Sequence, residues 1–368
     1  MPSKAISRAR ILIFSLVPVI ALLILGEMGL RVWAYYFRTP YERYNFSTHR
    51  LQLVPNIRLI TGDGNEFLIN SLGFVGPEFE PKKSHGTIRI FALGDSCTFG
   101  SGYWKHAYPG ILGRLLNSAR RGQRYEVINA GIEGSDSEHA LARLQDELIR
   151  YEPDIVIVYV GWNDLMKLDP SNQTPDHRFA KIARMLETSY LAKAYRKLVF
   201  FYIRPLLTKP PLAGMDKDAG AFDTFVPMRF RSNLQQMIDI LHRHRITPLI
   251  VTLPTAVRLD MTYDELKAQQ VFFPYYAGSY SVGKFLALHR SYNNVIRNLA
   301  VQSGVRIVDL DLIFRAYDWE PLFWDTMHPN SVGHLLIAKS LAPPIEAIAQ
   351  ERGMPTRPFA RVLPPHSE

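Results

Sequence analysis

Short strand-like runs of β-branched and aromatic residues alternate with amphipathic stretches through most of the chain. The strand-like runs cover residues 87–93, 125–128, 154–160, 246–253 and 305–310. The amphipathic stretches carry apolar residues at helical spacing and cover residues 108–121, 137–151, 229–244, 284–301 and 331–341. This alternation predicts a central parallel sheet with helices on both faces, which is a three-layer α/β/α sandwich.

The amino-terminal residues follow a different pattern. Residues 1–10 are basic and contain no acidic residue, and residues 11–26 are almost entirely apolar. A further hydrophobic stretch ends in the aromatic residues of 33–37. We expect one uncleaved transmembrane signal-anchor helix over residues 11–36, with residues 1–10 as a cytoplasmic tail. A cleaved signal peptide and a buried core helix are the alternatives, and no clean Ala-x-Ala cleavage site follows the apolar run.

Turn-forming segments divide the rest of the chain. Residues 37–84 are predicted to be an extracytoplasmic lead-in, and residues 85–350 the α/β domain. Two aromatic-rich inserts, 165–228 and 254–283, follow predicted strands of this domain. We expect the inserts to cover the mouth of a site at the sheet edge, and contact of their hydrophobic surface with a membrane is the alternative. Residues 351–368 contain several prolines and are expected to be a disordered tail.

The composition indicates a globular protein and disfavours disulfide-linked, thiolate-metal and nucleic-acid-binding classes. With 368 residues, of which 47% are hydrophobic, the chain is long enough for a sizeable globular core. Cys97 is the only cysteine, so an intrachain disulfide is excluded and a thiolate metal site is disfavoured. The net charge of +9 is moderate, and no Lys/Arg cluster is interleaved with aromatic residues, so we expect no nucleic-acid partner. No spacing of His, Asp and Glu suggests a metal, and we expect no cofactor.

Polar motifs follow three of the predicted strands, and one more lies near the end of the chain. Ser96 ends a Gly-Asp-Ser triplet after the first strand, Gly131 follows the second, and Asn163 lies in a Gly-Trp-Asn-Asp run after the third. Asp325 and His328 are three residues apart in a late loop. The carboxyl ends of parallel strands lie at one edge of a sheet, where open α/β sheets bind ligands. We therefore expect these side chains to lie close together.

Acyl transfer to a serine requires a nucleophile, a base, a group that orients the base, and donors for the oxyanion. Ser96 is the candidate nucleophile, and His328 is the candidate base and acid because an imidazole performs both roles near neutral pH. Asp325 can reach the other imidazole nitrogen. Each motif alone is also ordinary turn or helix-cap chemistry, and only the ordered set favours catalysis.

Taken in order, the motifs resemble those of the SGNH hydrolases, also called the GDSL family, over residues 85–345. The family motifs are Gly-Asp-Ser, a glycine after the second strand, Gly-x-Asn-Asp and Asp-x-x-His, and the departure here is Cys97 in place of leucine. The resemblance implies a flavodoxin-like fold and a Ser96, His328 and Asp325 triad. It also assigns an oxyanion hole to the Ser96 N–H, the Gly131 N–H and the Asn163 side-chain amide.

The expected function combines this chemistry with the predicted anchor. We expect a membrane-anchored serine esterase or deacylase, single-pass in a bacterial inner membrane, with its catalytic domain on the periplasmic side. The expected substrate is an ester-linked acyl group, first an O-acetyl group on an envelope or exported polysaccharide. Lipid esters, an O-acyltransferase with the same triad, and a catalytically idle glycan-binding or assembly protein remain the alternatives. The sequence does not identify protein partners, which are left open.

Overall fold

The computed structural model describes residues 8–37, 41–45, 50–62, 64–118, 124–167, 189–199, 224–273, 281–317 and 321–353. Residues 1–7 of the expected tail, most of the 165–228 insert and residues 354–368 lie outside the described residues.

The described residues form nine strands and eleven α-helices. The strands are β1 (Glu42–Asn45), β2 (Arg50–Leu53), β3 (Ile57–Ile60), β4 (Glu66–Ile69), β5 (Thr87–Gly94), β6 (Arg124–Gly131), β7 (Ile155–Tyr159), β8 (Thr247–Val251) and β9 (Arg306–Val308). The helices are α1 (Arg8–Phe37), α2 (Ser96–Phe99), α3 (Tyr108–Ser118), α4 (Ser137–Asp146), α5 (Trp162–Lys167), α6 (Tyr190–Leu198), α7 (Met228–Arg243), α8 (Tyr263–Ala268), α9 (Val282–Ser303), α10 (Leu310–Arg315) and α11 (Ser331–Glu351). Short 3₁₀ turns occupy Gly100–Gly102 and Leu148–Tyr151.

The central sheet has five parallel strands in the order β6-β5-β7-β8-β9. This is the flavodoxin-like order 2-1-3-4-5. Every residue of β5 and β7 is buried, as expected for parallel strands covered on both faces. Helix α3 packs on α11, and α7 packs on α4 and α9. The three-layer α/β/α fold is therefore confirmed.

The strand order creates the crevice in which the polar motifs meet. Strand β5 lies between β6 and β7, so the connections after β5 and β7 leave the sheet on either side of its switch point. Ser96 follows β5 and Asn163 follows β7. A Cβ on Gly94 would lie 2.0 Å from Thr98 Oγ1, so only glycine lets α2 begin this close to the strand end.

The lead-in segment closes one edge of the sheet. Val75 forms a β-bridge with Asn129 of β6, and its N–H donates to the Asn129 carbonyl at 3.2 Å. Phe74 is fully buried, with its ring centroid 5.4 Å from that of Phe91. Asn70 holds the turn between the end of β4 and Phe74, because its Oδ1 accepts the Phe74 N–H at 2.9 Å. This segment is structural and continues the core.

The chain divides into two compact units whose limits differ from the expected domain boundaries. One unit comprises residues 1–44 and 169–210, and the other residues 45–168 and 211–368. Most of the expected lead-in thus belongs with the sheet, and the middle of the 165–228 insert belongs with α1. Within α1, Ser15–Trp33 is long and apolar enough to cross a membrane.

Candidate active site

Ser96 is placed by the turn between β5 and α2. Asp95 caps α2: its Oδ1 accepts the Cys97 N–H at 2.9 Å, and its carbonyl accepts the Thr98 N–H at 3.1 Å. Complete burial raises the pKa of Asp95 to about 6. The capped turn holds the Ser96 Oγ 2.8 Å from His328 Nε2. Asp95 therefore has a structural role, as the cap of this turn.

His328 is oriented by Asp325 in the same loop. Its Nδ1 lies 2.7 Å from Asp325 Oδ2, and Asp325 Oδ1 accepts the backbone N–H groups of Met327 at 3.0 Å and His328 at 2.9 Å. Burial alone would lower the pKa of His328, but the hydrogen bond and charge of Asp325 outweigh it and raise that pKa. With Nδ1–H donated to the carboxylate, Nε2 is left to accept the Ser96 proton. The three expected triad side chains lie in contact.

Thr326 fixes this loop to the second insert, and sequence reasoning missed it. The Thr326 carbonyl accepts the Ala256 N–H at 3.1 Å and the Thr255 hydroxyl at 2.8 Å. Its Oγ1 accepts the Phe272 N–H at 2.7 Å and donates to the Phe272 carbonyl at 2.8 Å. Thr326 is fully buried. No sequence signal marks it, because its partners lie 54 and 71 residues away.

Two expected oxyanion donors are available for a ligand. In the described part of the chain, the Ser96 N–H donates to no other group. Asn163 lies in the first turn of α5, and its side-chain amide donates one hydrogen bond, to the Ser135 carbonyl at 3.0 Å. An amide nitrogen carries two hydrogens, so one remains. The Ser135 contact brings Asn163 next to the loop that follows β6.

The geometry does not support the oxyanion role that we expected for Gly131. Its N–H already donates to the Asn129 Oδ1 at 2.9 Å. A Cβ at this position would lie 2.2 Å from the backbone nitrogen of Phe99, so the glycine is required for close packing of β6 beneath α2.

Gly134, three residues later, is a candidate backbone donor that the sequence did not predict. It has a φ of +69° and precedes Ser135 in the loop that contacts Asn163. Across the described ranges, its N–H has no hydrogen-bond acceptor. Its only signal in the sequence is that it is the next glycine after Gly131, at the end of β6.

Asp164 ties the Asn163 turn to the start of α4. Its carboxylate accepts the Ser137 N–H at 2.8 Å and the Ser137 hydroxyl at 2.5 Å. The Asn233 amide donates to the same hydroxyl at 2.9 Å. Burial, followed by the charge of Asp136, raises the pKa of Asp164. Asp164 therefore holds together the loops on which Asn163 is placed.

Other histidines and acidic residues of the α/β domain have partners outside the triad. His334 is buried, accepts the Tyr108 N–H at 3.3 Å, and has its pKa lowered to about 4 by burial. Asp309 and Asp311 both bind Arg297, at 2.7 and 2.8 Å. Among the described residues, no group of three or more His, Cys, Asp or Glu side chains is arranged to hold a metal ion.

Comparison with known proteins gives a consistent family match. The sequence model of the GDSL-like lipase/acylhydrolase family matches residues 92–336. The chain is 22% identical over 230 residues to an uncharacterized lipoprotein, YqeF, of Bacillus subtilis (strain 168), covering 62% of this chain and 72% of that protein. It is 33% identical over 84 residues to an arylesterase of Vibrio mimicus, covering 22% of this chain and 40% of the arylesterase.

Solved structures of similar proteins include two named hydrolases. The acetyl xylan esterase AlAXEase is 19% identical with a TM-score of 0.43, covering 69% of this chain and 98% of that one. The lipase/acylhydrolase from Enterococcus faecalis is 16% identical with a TM-score of 0.41, covering 70% of this chain and 95% of that one.

Proposed function

Because the chain belongs to the GDSL-like lipase/acylhydrolase family and is a serine ester hydrolase, we propose that Ser96, His328 and Asp325 form its catalytic triad. The observation that carries this proposal is the continuous pair of contacts, 2.8 Å from Ser96 Oγ to His328 Nε2 and 2.7 Å from His328 Nδ1 to Asp325 Oδ2. The same arrangement performs acyl transfer on several unrelated folds.

In the first half-reaction, Ser96 Oγ attacks the ester carbonyl carbon while His328 Nε2 takes the hydroxyl proton. The carbonyl electron pair moves onto oxygen, and the protonated imidazole is stabilised by Asp325. His328 then donates the proton to the leaving alkoxide oxygen as the carbon–oxygen bond breaks. An alcohol departs, and the acyl group remains bonded to Ser96.

In the second half-reaction, water attacks the acyl carbon and gives its proton to His328. Collapse of the second tetrahedral intermediate returns that proton to Ser96 Oγ and releases the carboxylic acid. A sugar hydroxyl in place of water would give acyl transfer with the same groups. Hydrolysis is the reaction class of the family, so we propose an esterase and treat transfer as the alternative outcome of the experiment.

We assign the oxyanion to three donors, the Ser96 N–H, the Asn163 side-chain amide and the Gly134 N–H. Gly134 replaces Gly131 in this assignment because the Gly131 N–H already binds Asn129. The Gly134 loop is close to the nucleophile, since the Ile132 N–H donates to the Gly94 carbonyl at 3.2 Å. Preorganised donors of this kind supply much of the rate enhancement in acyl transfer.

We further propose that α1 is a retained membrane anchor and that the hydrolase acts outside the cytoplasm. A contact within the amino-terminal unit supports retention: Glu27 of α1 accepts backbone N–H groups of Tyr190 and Leu191. Cleavage after the apolar segment would remove the Glu27 carboxylate and leave these N–H groups of α6 without their acceptor. The lipoprotein name of the Bacillus subtilis relative also favours the cell envelope.

For substrate we propose O-acetyl esters of an envelope or exported polysaccharide, on the basis of this location. The test uses the full chain in detergent with p-nitrophenyl acetate, acetylated xylan and p-nitrophenyl esters of longer acids, with Ser96→Ala as control. Acetate release by the wild type alone supports the proposal. Preference for long acyl esters overturns the substrate class, and acetate appearing only on an added sugar acceptor favours transfer. Absence of turnover on every ester favours an idle binding protein.

A further inference from the structure

An acidic side chain of α1 binds the start of α6. The Glu27 carboxylate accepts the Ser189 hydroxyl at 2.9 Å, the Tyr190 N–H at 3.0 Å and the Leu191 N–H at 2.8 Å. It also accepts the Arg31 Nε–H at 2.8 Å. All of these residues belong to the unit formed by residues 1–44 and 169–210.

This contact pairs the first N–H groups of α6 with the Glu27 carboxylate, and each of these would lower stability if it had no hydrogen-bond partner. The first N–H groups of a helix have no intrahelical partner, and a carboxylate within an apolar helix is expensive unless it is paired. Packing supports the same contact, because a Cβ on Gly26 would meet the Leu191 side chain at 3.6 Å. The Arg31 guanidinium lies 5.4 Å from the Tyr190 ring centroid. Helix α6 is therefore fixed to α1 at residues 26–31.

The position of the contact along α1 places it at a membrane interface. The apolar run of residues 11–26 is about 24 Å long at 1.5 Å per residue. A bilayer has a hydrocarbon core of about 30 Å, which is about 20 helical residues, so a helix that enters the core at residue 11 leaves it near residue 30, within the contact at residues 26–31. Trp33 follows directly, as the last residue of the apolar segment Ser15–Trp33, and is an aromatic residue typical of that boundary.

The apolar stripe of α6 extends beyond its contact with α1. Leu191, Tyr195 and Leu198 follow the i, i+4, i+7 spacing of one helix face. Leu191 contacts α1, whereas Tyr195 is 66% exposed and Leu198 is 50% exposed. The basic residues of the helix occupy sequence positions away from this stripe, at 193, 196 and 197. Apolar stripes opposed by basic positions are typical of helices that lie in the headgroup layer of anionic membranes.

We propose that α6 lies in the headgroup layer of the membrane that α1 crosses, with Tyr195 and Leu198 in contact with lipid. The stripe begins at Leu191, which contacts the anchor, and Tyr195 and Leu198 are exposed beyond it, so the bilayer around the anchor is the nearest apolar surface that can cover them. This inference rests on the proposed retention of α1 as a membrane anchor. Helix α6 thereby serves as a second membrane contact.

The test measures the environment of a spin label on Leu198. Cys97 is buried, so Leu198→Cys supplies the accessible thiol of the full chain for a nitroxide label. The labelled protein is reconstituted in nanodiscs of phosphatidylethanolamine and phosphatidylglycerol. Collision with oxygen, which enriches in lipid, is compared with collision with a water-soluble nickel chelate by electron paramagnetic resonance. We expect the oxygen accessibility to exceed the nickel accessibility.

Two reference labels separate the possible failures. Leu23→Cys, on the exposed face of α1, reports whether α1 lies in lipid, and Val301→Cys, 84% exposed on α9, reports the sheet-containing unit. A Leu23 label that favours nickel overturns the anchor and this inference together. A Leu23 label in lipid with a Leu198 label in water overturns this inference alone. A Leu198 label reached by neither reagent means that protein covers the stripe, which also overturns it.

A second variant tests the role of Glu27. Adding Glu27→Ala to Leu198→Cys removes the acceptor of the α6 N–H groups, so we expect faster label motion and lower oxygen accessibility. Unchanged label motion and accessibility would show that Glu27 does not hold α6 at the membrane. Circular dichroism of each variant confirms that the chain is folded.

Discussion

Thr326→Val tests whether the second insert holds the acid–base loop in place. Valine keeps the shape of threonine but removes the hydroxyl that lies 2.7 Å from the Phe272 nitrogen and 2.8 Å from its carbonyl oxygen. Thr326 is fully buried and Phe272 is partly buried, so the two backbone groups of Phe272 lose a partner in a site with little access to water. An unpaired buried polar group costs about 1–3 kcal/mol. Two such groups together would cost about 2–6 kcal/mol, and because Phe272 is only partly buried we expect the free energy of unfolding to fall by an amount at the lower end, about 2–4 kcal/mol.

The same substitution is expected to slow the chemical step. Thr326 adjoins Asp325, and a displacement of about 1 Å at a catalytic group costs on the order of 100-fold in rate. We therefore expect kcat for p-nitrophenyl acetate to fall by roughly 10- to 100-fold, with a smaller change in KM. Steady-state kinetics and urea unfolding are measured on the same preparations.

Two variants serve as controls. Thr326→Ser retains the hydroxyl and is expected to restore most of kcat. Thr262→Val makes the same chemical change at the N-cap of α8, where the hydroxyl accepts the Glu265 N–H at 3.3 Å. Its expected effect is a stability loss of about 1 kcal/mol without a change in kcat. A wild-type kcat in Thr326→Val would refute the proposed support of the loop.

Further predictions concern the base, the oxyanion donors and the glycines. His328 acts as a base only when neutral and its pKa is raised, so we expect kcat/KM to fall with decreasing pH at a midpoint above the ordinary histidine value of about 6.5. Asp325→Asn removes the charge that raises this pKa, so the midpoint should move to lower pH and the rate should drop; an unmoved midpoint would show that another group controls it. Asn163→Ala should lower kcat by on the order of 100-fold, and an unchanged kcat would make it only a turn residue. Gly131→Ala should lower Tm more than Gly134→Ala, because Gly131 faces a backbone nitrogen at 2.2 Å and Gly134 faces open space; equal losses of Tm would contradict this packing.

The fold was predictable because its signals are local and repeated. The alternating apolar runs lie within a few residues of the observed strands, and the sheet order is confirmed as flavodoxin-like. Helix α11 is the main exception, since it continues to Glu351 through Pro343 and Pro344 although the predicted helix ends at residue 341. Ile345 and Ile348 are buried in the core, and this tertiary packing outweighs the local cost of the prolines.

The site was predictable where the chemistry lies within a motif. Ser96, His328 and Asp325 lie in contact because sheet topology and a three-residue spacing place them. The choice between Gly131 and Gly134 depends on which N–H is already bonded, and spacing does not encode that. Thr326 binds groups 54 and 71 residues away, so only the folded chain reveals it.

The insert over residues 165–228 is a second case in which the sequence does not reveal a long-range partner. Its position after β7 predicts a cover for the site, and this stays a prediction. Its described helix α6 binds α1 through Glu27. The apolar spacing of α6 is visible in the sequence. Its partner is not, because residues 27 and 190 are joined only in the folded unit.

The most direct test of the account is covalent labelling of the full chain with a fluorophosphonate probe, followed by intact-mass and peptide mass spectrometry. The account predicts one adduct, on Ser96, formed by the wild type and absent from Ser96→Ala. It also predicts slower labelling in Asp325→Asn, because the base is less well oriented. An adduct on another serine, or no adduct on a folded wild-type protein, would contradict Ser96 as the activated nucleophile.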